Sequence, residues 1–201
     1  MPSGRTPKGV SGSPDPDADI LPGLAAQEQA ALRVLMERHL RSLKSLAWHL
    51  LKDDWAAEDI TQEVFLKTWQ QAPSWETGNA KLVTWMRRVA TNLCLDRLRK
   101  KKEDLPGEVP DIADDKASAL TGLMEQDGKS RIEAALAALP ERQKAAVVLC
   151  HYQECSQVEA AEILVLSVRA YESLLARARR NLKEMLADDK HDLMSNYRDA
   201  L

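Results

Sequence analysis

The sequence predicts an all-α protein made of two small helical domains joined by a flexible acidic linker. Three observations predict this fold class. Apolar residues recur at intervals of three and four along most of the chain, and no stretch shows the alternating pattern of a strand. Charge is segregated into two basic segments that flank an acidic one, although the net charge is only -3. A length of 201 residues, 44% of them hydrophobic, suffices for one domain or two small ones.

Residues 1–26 are expected to form a disordered tail. Proline, glycine, serine and aspartate dominate this stretch, which buries too little apolar area to offset the entropy lost on ordering. It contains no apolar segment typical of a signal peptide, and no run in the chain approaches the roughly 18 apolar residues of a membrane span. Three cysteines are too few for a disulfide framework. We therefore expect a cytoplasmic protein without membrane contact of its own.

Residues 27–102 are predicted to form the first domain, a bundle of three or four helices. The first helix spans about 28–52, and the second begins at Asp53 and Asp54, because acidic residues favour a helix N-terminus, and ends before Pro73. A third helix follows a loop that contains Trp75, and between Arg87 and Lys102 it carries seven cations against one acid. The predicted buried stripes of the three helices are Leu32, Met36, His39, Leu43, Leu46 and Leu50; Ile60, Val64, Phe65 and Trp69; and Leu82, Trp85, Val89, Leu93 and Cys94.

Residues 103–128 are predicted to be the acidic linker, with eight acids against one lysine between Glu103 and Asp127. Residues 129–188 are predicted to form the second domain, and residues 189–201 a C-terminal tail. In the second domain one helix ends near Pro140, and Ser156 and Glu159 form a capping box that starts a short helix. Ser167 then caps a long basic helix. A short helix, a tight turn and a long basic helix are typical of a helix-turn-helix whose second helix enters the DNA major groove.

Four segments, in this order, resemble the extracytoplasmic-function (ECF) type of bacterial RNA polymerase sigma factor, group IV of the sigma-70 family. They are residues 57–65 (AEDITQEVF), 84–92 (TWMRRVATN), 139–143 (LPERQ) and 176–182 (ARARRNL), and the resemblance covers about residues 28–187. It implies a sigma region 2 domain, a sigma region 4 domain and no enzymatic activity. Glu154 and Val165 stand where relatives often have glycine in turns. Because valine resists a positive φ, the geometry between Leu164 and Ser167 stays open.

The resemblance implies three binding surfaces. A polar ridge on the second helix would grip the clamp helices of the largest polymerase subunit, and its residues are Asp59, Gln62, Glu63 and Gln70. The third helix and the loop before it would hold the minus-10 element and an extruded base through Trp75, Asn79, Arg88, Asn92 and Arg99. The long basic helix would read the minus-35 element through Ser167, Arg169, Glu172, Ser173, Arg177 and Arg180. In the major groove a glutamate can accept a hydrogen bond from cytosine N4, whereas an arginine favours guanine.

The implied partners are core RNA polymerase, through its clamp helices and flap, promoter DNA, and an anti-sigma factor that holds the protein inactive until a stress releases it. No cofactor is expected. Cys150, His151 and Cys155 are the only cluster with metal-ligand chemistry, and no fourth ligand is evident. The alternative is a stand-alone helix-turn-helix transcriptional regulator whose first domain senses a signal or dimerises. That protein would be a dimer and would bind its operator tightly without polymerase. A third possibility is an adaptor that uses its helices only to bind other proteins. The basic recognition helix argues against it.

Overall fold

The computed structural model describes residues 15–76, 81–103 and 123–198, and all regular structure in these ranges is helical. The all-α fold class is therefore confirmed. Asn79 and most of the predicted linker lie outside the described residues. The α-helices are α1 (Leu21–Ala25), α2 (Gln29–Leu51), α3 (Asp54–Gln71), α4 (Leu82–Glu103), α5 (Leu123–Ala138), α6 (Glu141–His151), α7 (Gln157–Ile163) and α8 (Val168–Arg198), and a short 3-10 helix, Ala72–Ser74, follows α3.

Helices α2, α3 and α4 pack on one another in the first half of the chain. The predicted bounds of the first two helices are confirmed, and the Asp53 side chain caps α3 by accepting the amide N–H of Ala56 at 2.9 Å. The buried face of α4 repeats every four residues through Leu82, Met86, Ala90 and Cys94. The other predicted members of its stripe, Trp85, Val89 and Leu93, are only partly buried at the margin.

The predicted stripe of α2 was wrong at Met36, which is 38% exposed, while its neighbour Leu35 is fully buried. The cause is α1, which packs against α2 and joins Leu21 and Leu24 to the same apolar cluster as Leu35. The spacing of apolar residues within α2 gives no information about this additional layer. The layer shifts the buried face of α2 by one residue.

The N-terminal segment (residues 15–28) is folded, so the prediction of a disordered tail was wrong from residue 15 onward. Its apolar side chains Leu21 and Leu24 are buried, and the Asp17 carboxylate is inaccessible to solvent. Asp15 accepts the backbone N–H of Leu82 at 2.8 Å, which caps the start of α4. The composition argument considered apolar area only, whereas these aspartates find donors on distant helices. Residues 1–14 lie outside the described ranges.

Helices α6, α7 and α8 form the predicted helix-turn-helix region, and the capping box of Ser156 and Glu159 is confirmed. The buried Tyr171 hydroxyl donates to the Ala146 carbonyl at 3.0 Å and ties α8 to α6. Two predicted boundaries differ from the structure. Helix α5 begins at Leu123, inside the segment assigned to the linker, and α8 continues to Arg198 through most of the segment assigned to the C-terminal tail.

The two halves of the chain pack against each other. Helix α2 contacts α6, and α4 contacts both α6 and α7, so that the buried residues of both halves form one apolar cluster. The sequence predicts two separate cores and gives no indication of this contact. In the ranges that the structure describes, no helix combines the length and apolarity needed to cross a membrane.

Candidate nucleic-acid and partner interfaces

The N-terminal half of α8 presents a polar, mostly cationic face on the side opposite its core residues. Tyr171, Leu175 and Ala178 are buried, as the spacing predicts. All the side chains assigned to the minus-35 element are exposed, and five of them follow the outer face of one helix: Arg169, Glu172, Ser173, Arg177 and Arg180. Ser167, the sixth, caps α8 by accepting the amide N–H of Ala170 at 3.2 Å.

The turn before α8 is a Schellman motif, which closes the C-terminus of α7 through backbone hydrogen bonds. The N–H of Leu166 donates to the Ala161 carbonyl at 2.9 Å, and that of Val165 to the Glu162 carbonyl at 3.2 Å. Val165 has a φ of 55°, the left-handed conformation that glycine favours. Arg142 of α6 also donates to the Leu164 carbonyl at 3.1 Å. The turn is therefore tight and braced, although a β-branched residue occupies its left-handed position.

Helix α4 carries three of the residues assigned to the minus-10 element, Arg88, Asn92 and Arg99, on one face. Arg88 is half-buried, Asn92 is exposed, and Arg99 is exposed and pairs with Asp96 at 3.1 Å. Positions 88, 92 and 99 are separated by four and seven residues, so they share a face of the helix. Trp75 packs edge-on against Trp85, with ring centroids 5.8 Å apart and planes at 78°. The structure thus brings Trp75 to α4 and makes Trp85 its support.

Helices α6 and α7 lie against this face of α4. Asn92 and Arg99 line one cleft together with Glu141 and Arg142 of α6. Lys81, just before α4, pairs with Glu159 of α7 at 3.3 Å. Burial raises the pKa of the Glu162 carboxyl, and the nearby positive charge of Arg88 opposes that rise. The second half of the chain therefore covers part of the surface to which the resemblance assigns promoter DNA.

The polar ridge assigned to polymerase lies on α3, beside an apolar groove that the sequence analysis missed. Asp59, Gln62 and Gln70 are exposed and Glu63 is half-exposed. Asp59 pairs with Arg97 of α4 at 3.5 Å, and Glu63 pairs with Lys67 at 3.2 Å. These ion pairs are solvent-exposed, so they contribute little to stability and leave both acids available.

The groove beside that ridge runs between α2 and α3 and has a volume of about 650 Å³. Met36, Leu40 and Leu66 in its walls are 38%, 45% and 61% exposed, which is unusual for three neighbouring large apolar residues. The groove is lined by Leu32, Met36, Leu40, Lys44, Glu58, Thr61, Gln62, Phe65, Leu66 and Trp69. The signal that could have revealed it is an apolar α2 sequence with hydrophobic residues on more than one face.

A second cleft of similar volume, about 660 Å³, lies between α5 and α8. Its walls combine apolar and basic residues, namely Arg131, Ile132, Arg179, Leu182, Lys183, Leu186 and Ala187. Ile132 is 47% exposed there. An apolar cleft with a cationic rim suits an apolar segment flanked by acidic residues.

The cysteines do not gather into a metal site. Within the described residues, no group of three or more His, Cys, Asp or Glu side chains is placed to hold a metal ion. Burial raises the pKa of Cys94 to about 12 and that of Cys155 to about 11. The Cys155 sulfur also accepts a 3.5 Å contact from Arg87 of α4. Both thiols are therefore neutral near pH 7, and Cys155 lies where the two halves of the chain meet.

Two family models match the chain. Residues 35–103 match sigma-70 region 2, and residues 129–182 match sigma-70 region 4. The first match comprises α4 and α3 and most of α2, and the second comprises the helix-turn-helix. The N-terminal segment lies before both matches.

Curated relatives align over most of the chain. The ECF RNA polymerase sigma factor SigM of Mycobacterium tuberculosis is 31% identical over 173 residues, which cover 85% of this chain and 84% of SigM. The ECF RNA polymerase sigma factor SigW of Bacillus subtilis is 29% identical over 172 residues, which cover 80% of this chain and 91% of SigW.

Two solved structures have a similar fold. The chain of CnrH in complex with the cytosolic domain of CnrY matches with a TM-score of 0.66 at 23% identity, covering 86% of this chain and 98% of that one. The sigma factor RpoE of Bartonella quintana, in complex with the anti-sigma factor NepR, matches with a TM-score of 0.60 at 23% identity, covering 77% and 96%. At 23% sequence identity, this structural similarity establishes the fold of the chain alone.

Proposed function

Because this chain belongs to the ECF sigma factors of RNA polymerase, we propose that it directs bacterial core polymerase to specific promoters and helps to open them. It has no enzymatic activity of its own, since polymerase supplies the chemistry. The observation that carries the proposal is the order of the two matched regions, each of which exposes cationic residues along one helix. The alternative, a stand-alone regulator, is not favoured, because the relatives with that order are polymerase sigma factors.

Core polymerase binds, in this proposal, across the ridge and the groove of the first domain. Asp59, Gln62, Glu63 and Gln70 supply polar contacts to the clamp helices, and the exposed Met36 and Leu66 supply the apolar contact that gives such an interface its affinity. The cleft between α5 and α8 receives the flap. When polymerase holds both domains of the chain, the two basic faces have a high effective concentration at the promoter. This arrangement suits an acidic protein, because each small basic face binds DNA only weakly by itself.

The minus-10 element contacts α4 in this proposal. Arg88 and Arg99 hold the non-template backbone, Asn92 contacts a base edge, and Asn79 lies in the loop that receives the extruded base. Trp75, supported by Trp85, offers the aromatic surface against which an unstacked base gains about 1–3 kcal/mol.

The minus-35 element is read by α8 in the major groove. Glu172, Ser173 and Arg177 face the base edges, while Arg169 and Arg180 contact phosphates and Ser167 lies at the capped start of the helix. Glu172 should favour a cytosine, because its carboxylate can accept from cytosine N4.

An anti-sigma factor completes the proposal. The two structures of similar fold are complexes with the cytosolic domain of CnrY and with the anti-sigma factor NepR. We infer that a comparable regulator covers the groove of this chain and competes there with polymerase. The proposed place of action is the cytoplasm.

The test is abortive transcription by purified bacterial core polymerase on a promoter library, with and without this protein, followed by sequencing of the initiated templates. Initiation at sites that share two spaced elements supports the proposal. Tight binding to duplex DNA by the protein alone, without core-dependent initiation, would favour the stand-alone regulator.

Point variants then assign the elements. Glu172→Ala should relax base preference at one position of the minus-35 element, whereas Arg177→Ala should weaken initiation about tenfold or more. Glu184→Ala, exposed farther along the same helix, is the matched control and should change neither. If Glu172→Ala and Arg177→Ala both reduced initiation equally at all sequences, with no change in base preference, the assignment of Glu172 as a base-reading residue would be wrong.

A further inference from the structure

We propose that the N-terminal segment (residues 15–28) is a brace for the minus-10 surface. It binds the end of α3, which leads to Trp75, and the start of α4, which leads to Asn92, and so it positions the two side chains for an unstacked base. The role in base capture rests on the proposed function, whereas the bracing contacts are independent of it. The segment lies before residues 35–103, so the match to sigma-70 region 2 does not include it.

Asp15 attaches the brace to α4. One carboxylate oxygen accepts the amide N–H of Leu82, the first residue of α4, at 2.8 Å, and the other accepts the amide N–H of Asp17 at 3.0 Å. The first amides of a helix have no acceptor within the helix, and a negative charge beside them interacts favourably with the helix dipole. Because both oxygens are used, the carboxylate has one orientation, and α4 starts at a fixed place on the brace.

Gln27 attaches the other end of the brace to α3. Its Nε2 donates to the Trp69 carbonyl at 2.9 Å. In a continuous helix that carbonyl would accept the amide N–H four residues on, but Pro73 stands there and has no amide hydrogen. Gln27 supplies the missing donor. Helix α1 also packs against the 3-10 helix Ala72–Ser74, and the amide N–H of Trp75 donates to the Ala72 carbonyl at 3.1 Å.

Between these two attachments the brace is rigidly seated on α2. Leu21 and Leu24 are buried, and the Asp17 carboxylate is inaccessible to solvent and bound to side chains of α2. Gly23 permits the close approach of α1, because a Cβ at this position would lie only 2.9 Å from the Cβ of Ala31. A rigid segment attached at two points fixes the distance between those points, whereas a flexible one would only tether them.

The two attachment points flank the aromatic pair of the minus-10 surface. Trp75 follows the end that Gln27 binds. Trp85 lies in the first turn of α4, which Asp15 caps, and the two ring centroids are 5.8 Å apart. Stacking on Trp75 and a contact to Asn92 can hold the same strand only when α3 and α4 keep this spacing. A preformed spacing lowers the entropy lost on binding, which is how a brace raises affinity without touching DNA.

The bracing contacts are tested by amide hydrogen exchange of the free full chain, followed by NMR. Asp15→Ala should accelerate exchange of the Leu82 amide about tenfold, because that amide loses its acceptor. Gln27→Ala should accelerate exchange of the Trp75 amide. Residues 57–65, in the middle of α3, should keep their wild-type protection, which separates local loosening from unfolding. Unchanged exchange at both ends would overturn the proposal.

Base capture is tested with holoenzyme formed from bacterial core polymerase and the full chain. The probe is a fluorescent single strand that carries the minus-10 element found in the transcription experiment, with each base removed in turn to leave an abasic nucleotide. In the wild type, removal of the extruded base should weaken binding about tenfold. Asp15→Ala should bind the intact strand about tenfold more weakly, and removal of the same base should then have little further effect. A merely structural role would weaken binding to both strands equally.

Asp19→Ala is the matched control within the brace, because Asp19 is exposed, pairs with Arg38 of α2 and makes none of the bracing hydrogen bonds described above. Tyr171→Phe controls for stability, since it removes a hydrogen bond between α8 and α6 instead. In both controls the ratio of the two affinities, for the intact and the abasic strand, should equal that of the wild type. Asp15→Asn, which retains an acceptor oxygen for Leu82, should restore part of that ratio.

The outcomes of the binding experiment separate the two proposals. If the affinity ratio in Asp15→Ala equalled that of the wild type, the brace would have no role in base capture. Failure of the sigma proposal is a different result, namely a wild-type holoenzyme that neither binds the single strand nor initiates at any promoter.

Discussion

The carboxylate of Asp17 is completely buried and joins His39 at 2.8 Å, oxygen to Nε2, across the boundary between the N-terminal segment and α2. Its other oxygen accepts from Arg38 Nη1 at 3.3 Å. A carboxylate can remain buried only with such partners, so this interaction fixes the N-terminal segment on α2. The segment lies before the region matched to the family, yet it completes the apolar core around Leu35.

Asp17→Ala should lower the free energy of unfolding by about 3 kcal/mol, because it removes the buried partner of His39 and Arg38. Urea denaturation at pH 7.5 measures the change. Asp19→Ala removes a solvent-exposed partner of the same arginine and is the control, with little change expected. If Asp17→Ala and Asp19→Ala changed the free energy of unfolding equally, the burial of Asp17 would contribute nothing to stability.

Val165→Gly should raise the free energy of unfolding by about 1 kcal/mol. The residue has a φ of 55°, where a β-branched side chain is strained and glycine is not, and its side chain is 63% exposed, so little burial is lost. Thermal and urea unfolding measure the gain. Val168→Gly, in the first turn of α8, should instead destabilise the protein. A loss of stability in Val165→Gly would mean that the left-handed conformation costs little in this turn.

Leu66→Glu should weaken binding to core polymerase at least tenfold while leaving the fold intact, because Leu66 is 61% exposed in the wall of the groove. The dissociation constant for fluorescently labelled protein and core polymerase is the measurement, with circular dichroism as the check on folding. Val158→Glu, a similar change at an exposed position of α7, serves as the control. Unchanged affinity in Leu66→Glu would remove the groove from the polymerase interface.

Stability should decrease as the pH falls through about 6.5, the ordinary pKa of histidine. Burial lowers the pKa of His49 below that value, Lys52 lowers it further, and Glu133 opposes the change. Between the lowered pKa and 6.5 the unfolded chain binds a proton that the folded chain does not, so acidification favours unfolding. Unfolding free energies at pH 7.5 and 5.5 test this.

The variant His49→Phe isolates that contribution, because it retains a ring against Tyr152 and cannot titrate. Its stability should depend less steeply on pH than that of the wild type. If the two proteins showed the same dependence on pH, the effect would not belong to His49.

The sequence by itself determined the elements whose signals are local. Spacing located α2 and α3 to within one or two residues, and Asp53 was correctly predicted to mark the start of α3. Ser156 and Ser167 were correctly identified as caps, because capping involves only neighbouring amides. The alternation of charge and the four motifs were sufficient to indicate the family. The exposed face of α8 also followed from periodicity, since one side of that helix is buried by a regular stripe.

Tertiary structure alone decided what depends on residues that are distant in sequence. The N-terminal segment orders because Asp17 finds Arg38 and His39, and because Asp15 finds the first amide of α4, 67 positions away. Gln153 meets Ser42 over 111 positions, and this contact joins α2 to the turn after α6. Pairwise hydrogen bonds and ring stacks of this kind leave no periodic trace in a sequence, because their energy depends on where the helices come to lie.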